Sequence, residues 1–392
     1  MAQKINKAEF EPNKFKPKNV VIVLMESFSG RYVGALGNDY NVTPEFDSLS
    51  KKGILFSRFF SNGTHTHQGV FATLTSFPNL PNHEYLMQQP EGRNQFSGIT
   101  KLLPEHNSLF VYNGDFNWDN QLGFFKNQGL QRFVGKHEIK AEQYGNNVWG
   151  VPDHLMFDRA EYELLKLSQR GPFIAVVQTL SNHMPYELPQ TLEFEPVMID
   201  GKVSERLTAM KYSDWSLGRF FRNIRNAPYY EDTLFVVLGD HGFAVPNQLT
   251  SINLLRFHVP LLFLGNFTED KIGSLITTVA SQVDVVPTVV SMLGKTPIHQ
   301  SWGRNLFDLS QEDEGFAAIK PSGDDPTMAI IKGESILTYD AQLGPNLYQY
   351  DLGNKSYSKK LDNPDLAAKL KHELLSYVQT ASTSLKNNST SN

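Results

Sequence analysis

The chain has 392 residues, 40% of them hydrophobic and 20% charged, which is enough for one large α/β domain with a smaller unit, or for two to three ordinary domains. A formal net charge of −5 argues against a non-specific nucleic-acid binder. The absence of cysteine excludes disulfides, thiolate metal sites and a cysteine nucleophile.

Residues 1–18, polar and rich in Lys, Asn and Pro, are expected to be a linker; they lack the apolar stretch of a signal peptide. No apolar run in the sequence approaches the ~18 residues of a membrane span. The longest, Val20 to Met25, reads as a parallel strand buried on both faces, and it ends at Glu26-Ser27-Phe28-Ser29-Gly30. In open α/β sheets ligands bind at such C-terminal strand ends, so Glu26 is a candidate site carboxylate rather than a loop cap. A helix starts at Thr43-Pro44, with Thr43 as N-cap and Pro44 at the first helical position.

The Gly53–Phe60 strand then leads into Asn62-Gly63-Thr64-His65-Thr66-His67-Gln68-Gly69, with a helix expected to begin at Gln68 or Gly69. A hydroxyl at a strand tip entering a helix N-terminus lies where backbone N–H groups favour an anion, and threonine needs a base or a metal to act as a nucleophile. His65 and His67 flank Thr66 and read more simply as loop histidines than as substrate contacts. A short helix spans Ile99 to Leu103. The strand Ser108–Tyr112 ends at Asn113-Gly114-Asp115-Phe116-Asn117-Trp118, again placing a carboxylate and an aromatic just past a strand.

A helix over Val151–Arg170 precedes the strand Phe173–Leu180, which ends at Ser181-Asn182-His183-Met184-Pro185-Tyr186. The amphipathic helix Val203–Asn226 precedes the strand Thr233–Leu238, which ends at Gly239-Asp240-His241-Gly242. His258 opens the next strand, Val259–Leu264, and reads as packing or surface at least as readily as site-lining. A helix covers Asp284–Leu293. Beyond Trp302 the texture turns to short β-like runs, then an amphipathic helix, Ala367–Thr380. Residues 19–305 are therefore expected to form one domain and 306–381 a small α+β subdomain packed on it. Residues 382–392 are expected to be a disordered tail.

Alternating strands and helices predict an α/β doubly wound sheet sandwiched by helices, which gathers Glu26, Thr66, His183 and Asp240-His241 at one edge. Three oxygens and one nitrogen from Glu26, Thr66, Asp240 and His241 suit Mn²⁺ or Zn²⁺, with Mg²⁺ as a further option.

Met25-Glu26-Ser27, the Thr66 loop, Leu180-Ser181-Asn182-His183-Met184-Pro185-Tyr186 and Gly239-Asp240-His241-Gly242 resemble the extracellular catalytic domain of the lipoteichoic acid synthase and phosphoglycerol transferase group. That group belongs to the sulfatase-like branch of the alkaline phosphatase superfamily. Val283-Asp284-Val285-Val286-Pro287-Thr288 through Gly303-Arg304-Asn305-Leu306 is similar to the same pattern. The resemblance implies one divalent metal, commonly manganese, on Glu26, Asp240, His241 and a nucleophilic threonine. By the spacing of related phosphoethanolamine transferases that threonine is Thr66, with Thr64 tying down the turn. It further implies that His183 contacts the phosphate or leaving oxygen, and that Asp115 and Trp118 contact a substrate glycerol. The chain departs in a shorter Asp115–Trp118 spacing and in carrying Asn120 where the group has an arginine. It also lacks the Cys/Ser-x-Pro-x-Arg element of true sulfatases.

The implied partners are a glycerophospholipid head group and a glycan or polymer acceptor. The implied location is extracytoplasmic, with membrane attachment through an N-terminal segment outside this chain. The alternatives are a phosphodiesterase or phosphoethanolamine transferase on the same fold, or a non-catalytic polyanion- or glycan-binding domain.

Overall fold

Apolar residues at every position after the first of Asn19–Met25 dictate a strand with no solvent face, and the computed structural model places it fourth from one edge and fifth from the other. The structure describes residues 15–140, 149–246, 248–267, 273–310, 312–324, 326–353 and 356–391. The expected linker over 1–18 thus lies largely outside the described residues; Phe15 is already buried, packing edge-on against Phe267.

The main sheet has eight strands in the order Ser274–Ile276, Ile54–Phe56, Leu261–Leu264, Thr233–Gly239, Asn19–Met25, Phe173–Gln178, Asn107–Tyr112 and Arg132–Val134. Strands 19–25, 107–112, 132–134, 173–178 and 233–239 run parallel. Leu261–Leu264 runs antiparallel to both of its neighbours, so the sheet is mixed. Alternate residues serve opposite cores, as a period of two requires. Val20, Ile22 and Leu24 pack with Val70, Phe71 and Leu74 of the Thr66–Thr75 helix and with Val286 and Val289 of the Val285–Met292 helix. Val21, Val23 and Met25 pack with Phe46 and with residues of the Asp153–Ser168 and Glu205–Ile224 helices, such as Leu164 and Leu217. Each such fully buried aliphatic side chain is worth roughly 1.5–3 kcal/mol, which holds the strand ends in register at the site.

The expected Gly53–Phe60 strand divides at Ser57-Arg58 into Ile54–Phe56, in the main sheet, and Phe59–Phe60, which pairs with Ala280–Ser281.

The C-terminal unit is a five-stranded antiparallel sheet of consecutive strands from Phe316–Ile319 to Tyr357–Lys360. One face, with Ile330 and Leu337, packs under Leu370 and Leu374 of the last helix. The other, with Ala317, Ile331 and Ile336, packs on Phe60, Phe257 and Val279 of the larger unit.

The last helix runs Pro364–Lys386, longer at both ends than expected, and the tail is not disordered within the described residues. Ala381 and Leu385 continue its apolar stripe into the main core. Asn94 Nδ2 donates to the Leu385 carbonyl (2.7 Å), Ser97 N donates to the Thr390 carbonyl (3.0 Å), and Thr390 is buried. The polar composition of 382–392 conceals these anchoring positions.

Candidate active site

The central strand delivers Glu26 into a buried position that surrounding side chains define. Glu26 N donates to Thr179 Oγ1 (2.8 Å), and Asn182 Nδ2 donates to the carbonyls of Glu26 and Ser27 (3.1 Å each). Ser27 adopts φ 50°, so that its N–H reaches Asp240 Oδ1 (2.8 Å) while its hydroxyl donates to Glu26 Oε1 (2.7 Å). Asp240 Oδ1 also accepts from His241 N (2.6 Å). Asp240 Oδ2 is buried without a hydrogen-bond partner among the described residues. His241 Nδ1 lies 2.8 Å from the Gly242 carbonyl, which only accepts, so Nδ1 carries the proton. Burial keeps the ring neutral by holding its pKa below the usual value, which leaves Nε2 bare. That nitrogen faces Glu26 Oε1 and Asp240 Oδ2, each 3.7 Å away.

Glu26, Asp240 and His241 each offer a ligand atom, and these atoms lie within 4.8 Å of one another. Burial, and then the neighbouring Glu26 charge, push the Asp240 carboxyl well above the usual range. Two buried carboxylates converging on a bare imidazole nitrogen, with one oxygen unpartnered, fit a divalent cation: it would pair the orphaned oxygen and relieve the repulsion.

Thr66 joins this group. Its Oγ1 donates to Glu26 Oε2 (3.0 Å) and lies 3.4 Å from His241 Nε2. It is the first residue of the Thr66–Thr75 helix, which starts two or three residues earlier than the sequence suggested. Gly69 belongs to the first turn rather than the entry, because a Cβ there would lie 2.1 Å from the Asp240 carbonyl oxygen. Thr64 faces elsewhere: its Oγ1 accepts from Ser322 N (2.9 Å), and its N–H donates to Gln68 Oε1 (2.8 Å). His67 Nε2 is 3.2 Å from Glu84 Oε1. His258 is buried under Gly30 and bonds to the Ser57 carbonyl (2.9 Å), a packing role.

His183 lies at the end of the strand next to Glu26, its Nδ1 donating to the Met184 carbonyl (2.7 Å) and its field lowering the pKa of His241. Its ring packs on Trp149 (4.5 Å between centroids), and Trp149 packs edge-on against the exposed Trp118 (4.2 Å). Asp115 is held apart in its own turn: Oδ1 accepts from Asn117 N and Nδ2 (3.0 and 2.9 Å), and Oδ2 faces Lys136 and His137 (3.8 and 3.9 Å). Asn120 donates its amide to the Met87 carbonyl (2.7 Å).

The model of the sulfatase family matches residues 18–295 of this chain. The chain belongs to the sulfatase family. Its curated relatives include a lipoteichoic acid synthase-like protein of Bacillus subtilis, YvgJ, 23% identical over 347 residues (83% of this chain, 53% of the relative). They also include the lipoteichoic acid synthase of Staphylococcus saprophyticus, 26% identical over 330 residues (77% of this chain, 50% of the relative). The chain therefore spans about half the length of the curated relatives it matches. Among solved structures, a Vibrio parahaemolyticus protein of the alkaline phosphatase superfamily superimposes with TM-score 0.83 at 27% identity, covering 100% of this chain and 94% of that one. The lipoteichoic acid synthase LtaP of Listeria monocytogenes gives 0.80 at 18%, covering 98% and 96%. The fold is that of the alkaline phosphatase superfamily.

Several residues that support this candidate site escaped the sequence reading. Asp153, at the start of its helix, accepts through Oδ1 from the N–H groups of Leu180 and Ser181 (3.0 Å each) and through Oδ2 from Ser213 (2.6 Å), fixing the turn before His183. Gln282 Nε2 donates to the Asp240 carbonyl (2.6 Å) while its Oε1 accepts from Asn62 N (2.9 Å), joining the two ligand loops. The buried Tyr112 hydroxyl has its pKa raised well above normal by burial, then by Glu26, Asp240, Asp119 and Asp115, so it stays neutral. Position alone carried a signal only for Asp153, which follows Pro152 at a helix start.

Proposed function

We propose that this chain is the catalytic domain of a metal-dependent phosphoglycerol-type transferase. It cleaves a glycerophospholipid phosphodiester through a phospho-threonine intermediate and passes the group to a glycan or polyglycerolphosphate acceptor. The observation that carries the reading is Thr66 Oγ1 at the first turn of a helix, bonded to Glu26 and beside the bare nitrogen of His241, while Asp240 Oδ2 awaits a partner. Glu26, Asp240, His241 and the Thr66 oxygen would hold the ion, Mn²⁺ by preference and Zn²⁺ or Mg²⁺ otherwise. A divalent ion there supplies charge that lowers the hydroxyl pKa and neutralises a phosphoryl oxygen.

The residues then divide the work. Thr66 Oγ1 attacks phosphorus as its proton passes to Glu26 Oε2, to which it already donates. The bond from phosphorus to the lipid alcohol breaks. His183 protonates that alcohol from Nε2, since Nδ1 is engaged by the Met184 carbonyl. The acceptor hydroxyl then loses its proton to His183 and attacks the phospho-threonine; the bond from phosphorus to Thr66 Oγ1 breaks, and Thr66 recovers its proton from Glu26. N–H groups of the first helical turn favour the anionic phosphoryl group. Trp118 and Asp115 are offered as substrate contacts, Trp118 through the aromatic contact that leads by way of Trp149 to His183. The relatives' names, lipoteichoic acid synthase and lipoteichoic acid synthase-like, support such a polymer as product, and an extracytoplasmic location is part of the same proposal. Among the described residues no helix is long and apolar enough to cross a membrane.

The test is mass spectrometry of the protein quenched during turnover of a glycerophospholipid, with Mn²⁺ present. The peptide bearing Thr66 should carry the added phosphoglycerol group, and Thr66→Ala should lose both the label and turnover, by a factor on the order of 10⁶. Thr66→Ala with wild-type turnover, or a label on another residue, would overturn the reading.

A further inference from the structure

The Asp153–Ser168 helix begins beside the loop of His183, and its other end lies about 22 Å away at a rise of 1.5 Å per residue. Arg159, Tyr162, Glu163 and Lys166 recur at helical spacing along one face of it, and Arg170 follows just past its end. Arg132, the first residue of the edge strand Arg132–Val134, joins them. That strand is three places from Asn19–Met25. Arg132 aligns through Leu109 and Ala175 with Val21, four residues short of Met25. By strand spacing and rise this region stands roughly 20 Å from Glu26.

These six residues line a cavity of about 340 Å³. Glu163, 6% exposed, clamps two of the cations: Arg132 donates Nε and Nη2 to its Oε2 and Oε1 (3.0 and 3.1 Å), and Arg159 Nη2 lies 2.8 Å from Oε1. Glu138 lies 3.6 Å from Arg132. Lys166 Nζ sits 4.1 Å from the centre of the Tyr162 ring, and the Arg159 guanidinium lies 5.5 Å from the same ring. Among the described residues no carboxylate is within ion-pair distance of Lys166 or Arg170, and Arg159 Nε is buried without a hydrogen-bond partner. Four cations therefore meet two carboxylates, in a protein whose net charge is −5. Favourable placement near a helix C-terminus accounts for Lys166 and Arg170. It does not account for Arg132, which comes from a strand, or for a buried donor left without an acceptor. Guanidinium forks already clamped in place suit phosphate oxygens and lose little freedom on binding. The surplus charge matches a phosphate monoester, which carries about −1.5 to −2 near pH 7, better than a singly charged diester or carboxylate. The volume falls at the small end of the roughly 300–1,000 Å³ of small-molecule sites.

We propose that this cavity is a binding site for a small phosphate monoester, remote from the reaction centre. Arg132 and Arg159 present the forks, Lys166 and Arg170 close over the remaining oxygens, and Arg159 Nε gains its missing acceptor. A soluble ester and the head group of a lipid share that chemistry. The site does not depend on the transferase reading.

The experiment is calorimetric titration of the whole chain at low salt, with a chelator present so that no divalent ion draws phosphate to Glu26 and Asp240. The probes are glycerol 1-phosphate and dimethyl phosphate, a singly charged diester. Glycerol 1-phosphate should bind one to one and about tenfold tighter than dimethyl phosphate. Lys166→Gln and Arg170→Gln, both at exposed positions, should each weaken it about tenfold, the factor that one charge-assisted hydrogen bond supplies. Arg132→Lys keeps the charge without the fork and should weaken it less than Arg132→Gln. Co-sedimentation with phosphatidylcholine vesicles containing phosphatidic acid separates the sources. Vesicle binding that is lost in Lys166→Gln and Arg170→Gln assigns the site to a lipid head group; binding of the soluble ester alone assigns it to a free one. Three results overturn the proposal: neither probe binds the wild type, binding is unchanged in both glutamine variants, or dimethyl phosphate binds as tightly as glycerol 1-phosphate. Glutamine variants that unfold at a lower temperature with binding unchanged would leave these cations a role in the helix alone.

Discussion

Replacing Gly69 by alanine sets two effects of opposite sign against each other. In an exposed helix the change stabilises by about 1 kcal/mol, because glycine has more backbone freedom to lose on folding. Here the new methyl would sit 2.1 Å from the Asp240 carbonyl oxygen and 2.8 Å from its carbon. Reaching ordinary contact at 3.4 Å requires the helix or the loop to retreat by about 1.3 Å. The loop cannot easily do so, since that same carbonyl is held by Gln282 Nε2 at 2.6 Å and the Asp240 N–H is bound to the Met25 carbonyl at 3.1 Å. Overpacking of this kind costs about 1–3 kcal/mol, so the net expectation is a loss of about 1 kcal/mol, not a gain. The helix shift also carries Thr66, one turn earlier, away from Glu26 and His241. A displacement near 1 Å lowers turnover by about a hundredfold. Thermal unfolding and hydrolysis of a chromogenic phosphodiester measure the two quantities. A Gly69→Ala protein more stable than wild type and equally active would refute the placement of this helix against the Asp240 loop.

Three further outcomes are expected. Without metal, Asp240→Asn should unfold at a higher temperature than wild type because it removes a buried charge beside Glu26. Mn²⁺ at a hundred times its Kd should stabilise wild type by about 2.7 kcal/mol and the variant far less; equal shifts would place the ion elsewhere. Arg304→Met strands Asp284, which accepts Arg304 Nη2 at 2.9 Å and is 1% exposed, and should lower stability by about 3–5 kcal/mol in urea unfolding; a loss below 1 kcal/mol would contradict a buried pair. The third concerns acid. Burial lowers the His258 pKa to about 4 from 6.5, so the unfolded chain binds its proton first, and stability falls as the pH drops from about 6.5 towards 4. The stability lost over this range is about 3 kcal/mol, and His258→Asn should flatten this part of the pH–stability curve; an unchanged slope would show that other groups dominate it.

The buried strands were legible because continuous apolar runs such as Val20–Met25 admit little else, and their ends located Glu26, His183 and Asp240. The direction of Leu261–Leu264 was not, since an apolar run reads the same in either orientation. Of two threonines two residues apart, the resemblance favoured Thr66, and it is Thr66 that faces Glu26, but the reason Thr64 does not was out of local view. Thr64 is turned away by Ser322, 258 positions along the chain. The helix entry was misjudged because Gly69 looked like a break, whereas it is the position where helix and ligand loop touch. Asp153 and Gln282 act through backbone groups brought close only by the completed sheet, and no local pattern marks Gln282, while Asp153 showed only its place at a helix start.

The C-terminal unit does more than cover one flank. Lys320 N bonds to the Asn62 carbonyl (3.1 Å), Ser322 N to Thr64 Oγ1 (2.9 Å), and the Ser322 hydroxyl to Glu84. The loop that presents Thr66 is thus moulded from both sides, one of them built after residue 305. The family match ends at 295, but the hydrogen bonds that shape this loop come from beyond it. A chain cut at that boundary keeps every proposed ligand and loses the buttress of the loop between them. The two units are therefore expected to unfold in a single transition, and to tolerate exchange between relatives only when the 320–322 segment and the 62–66 loop travel together.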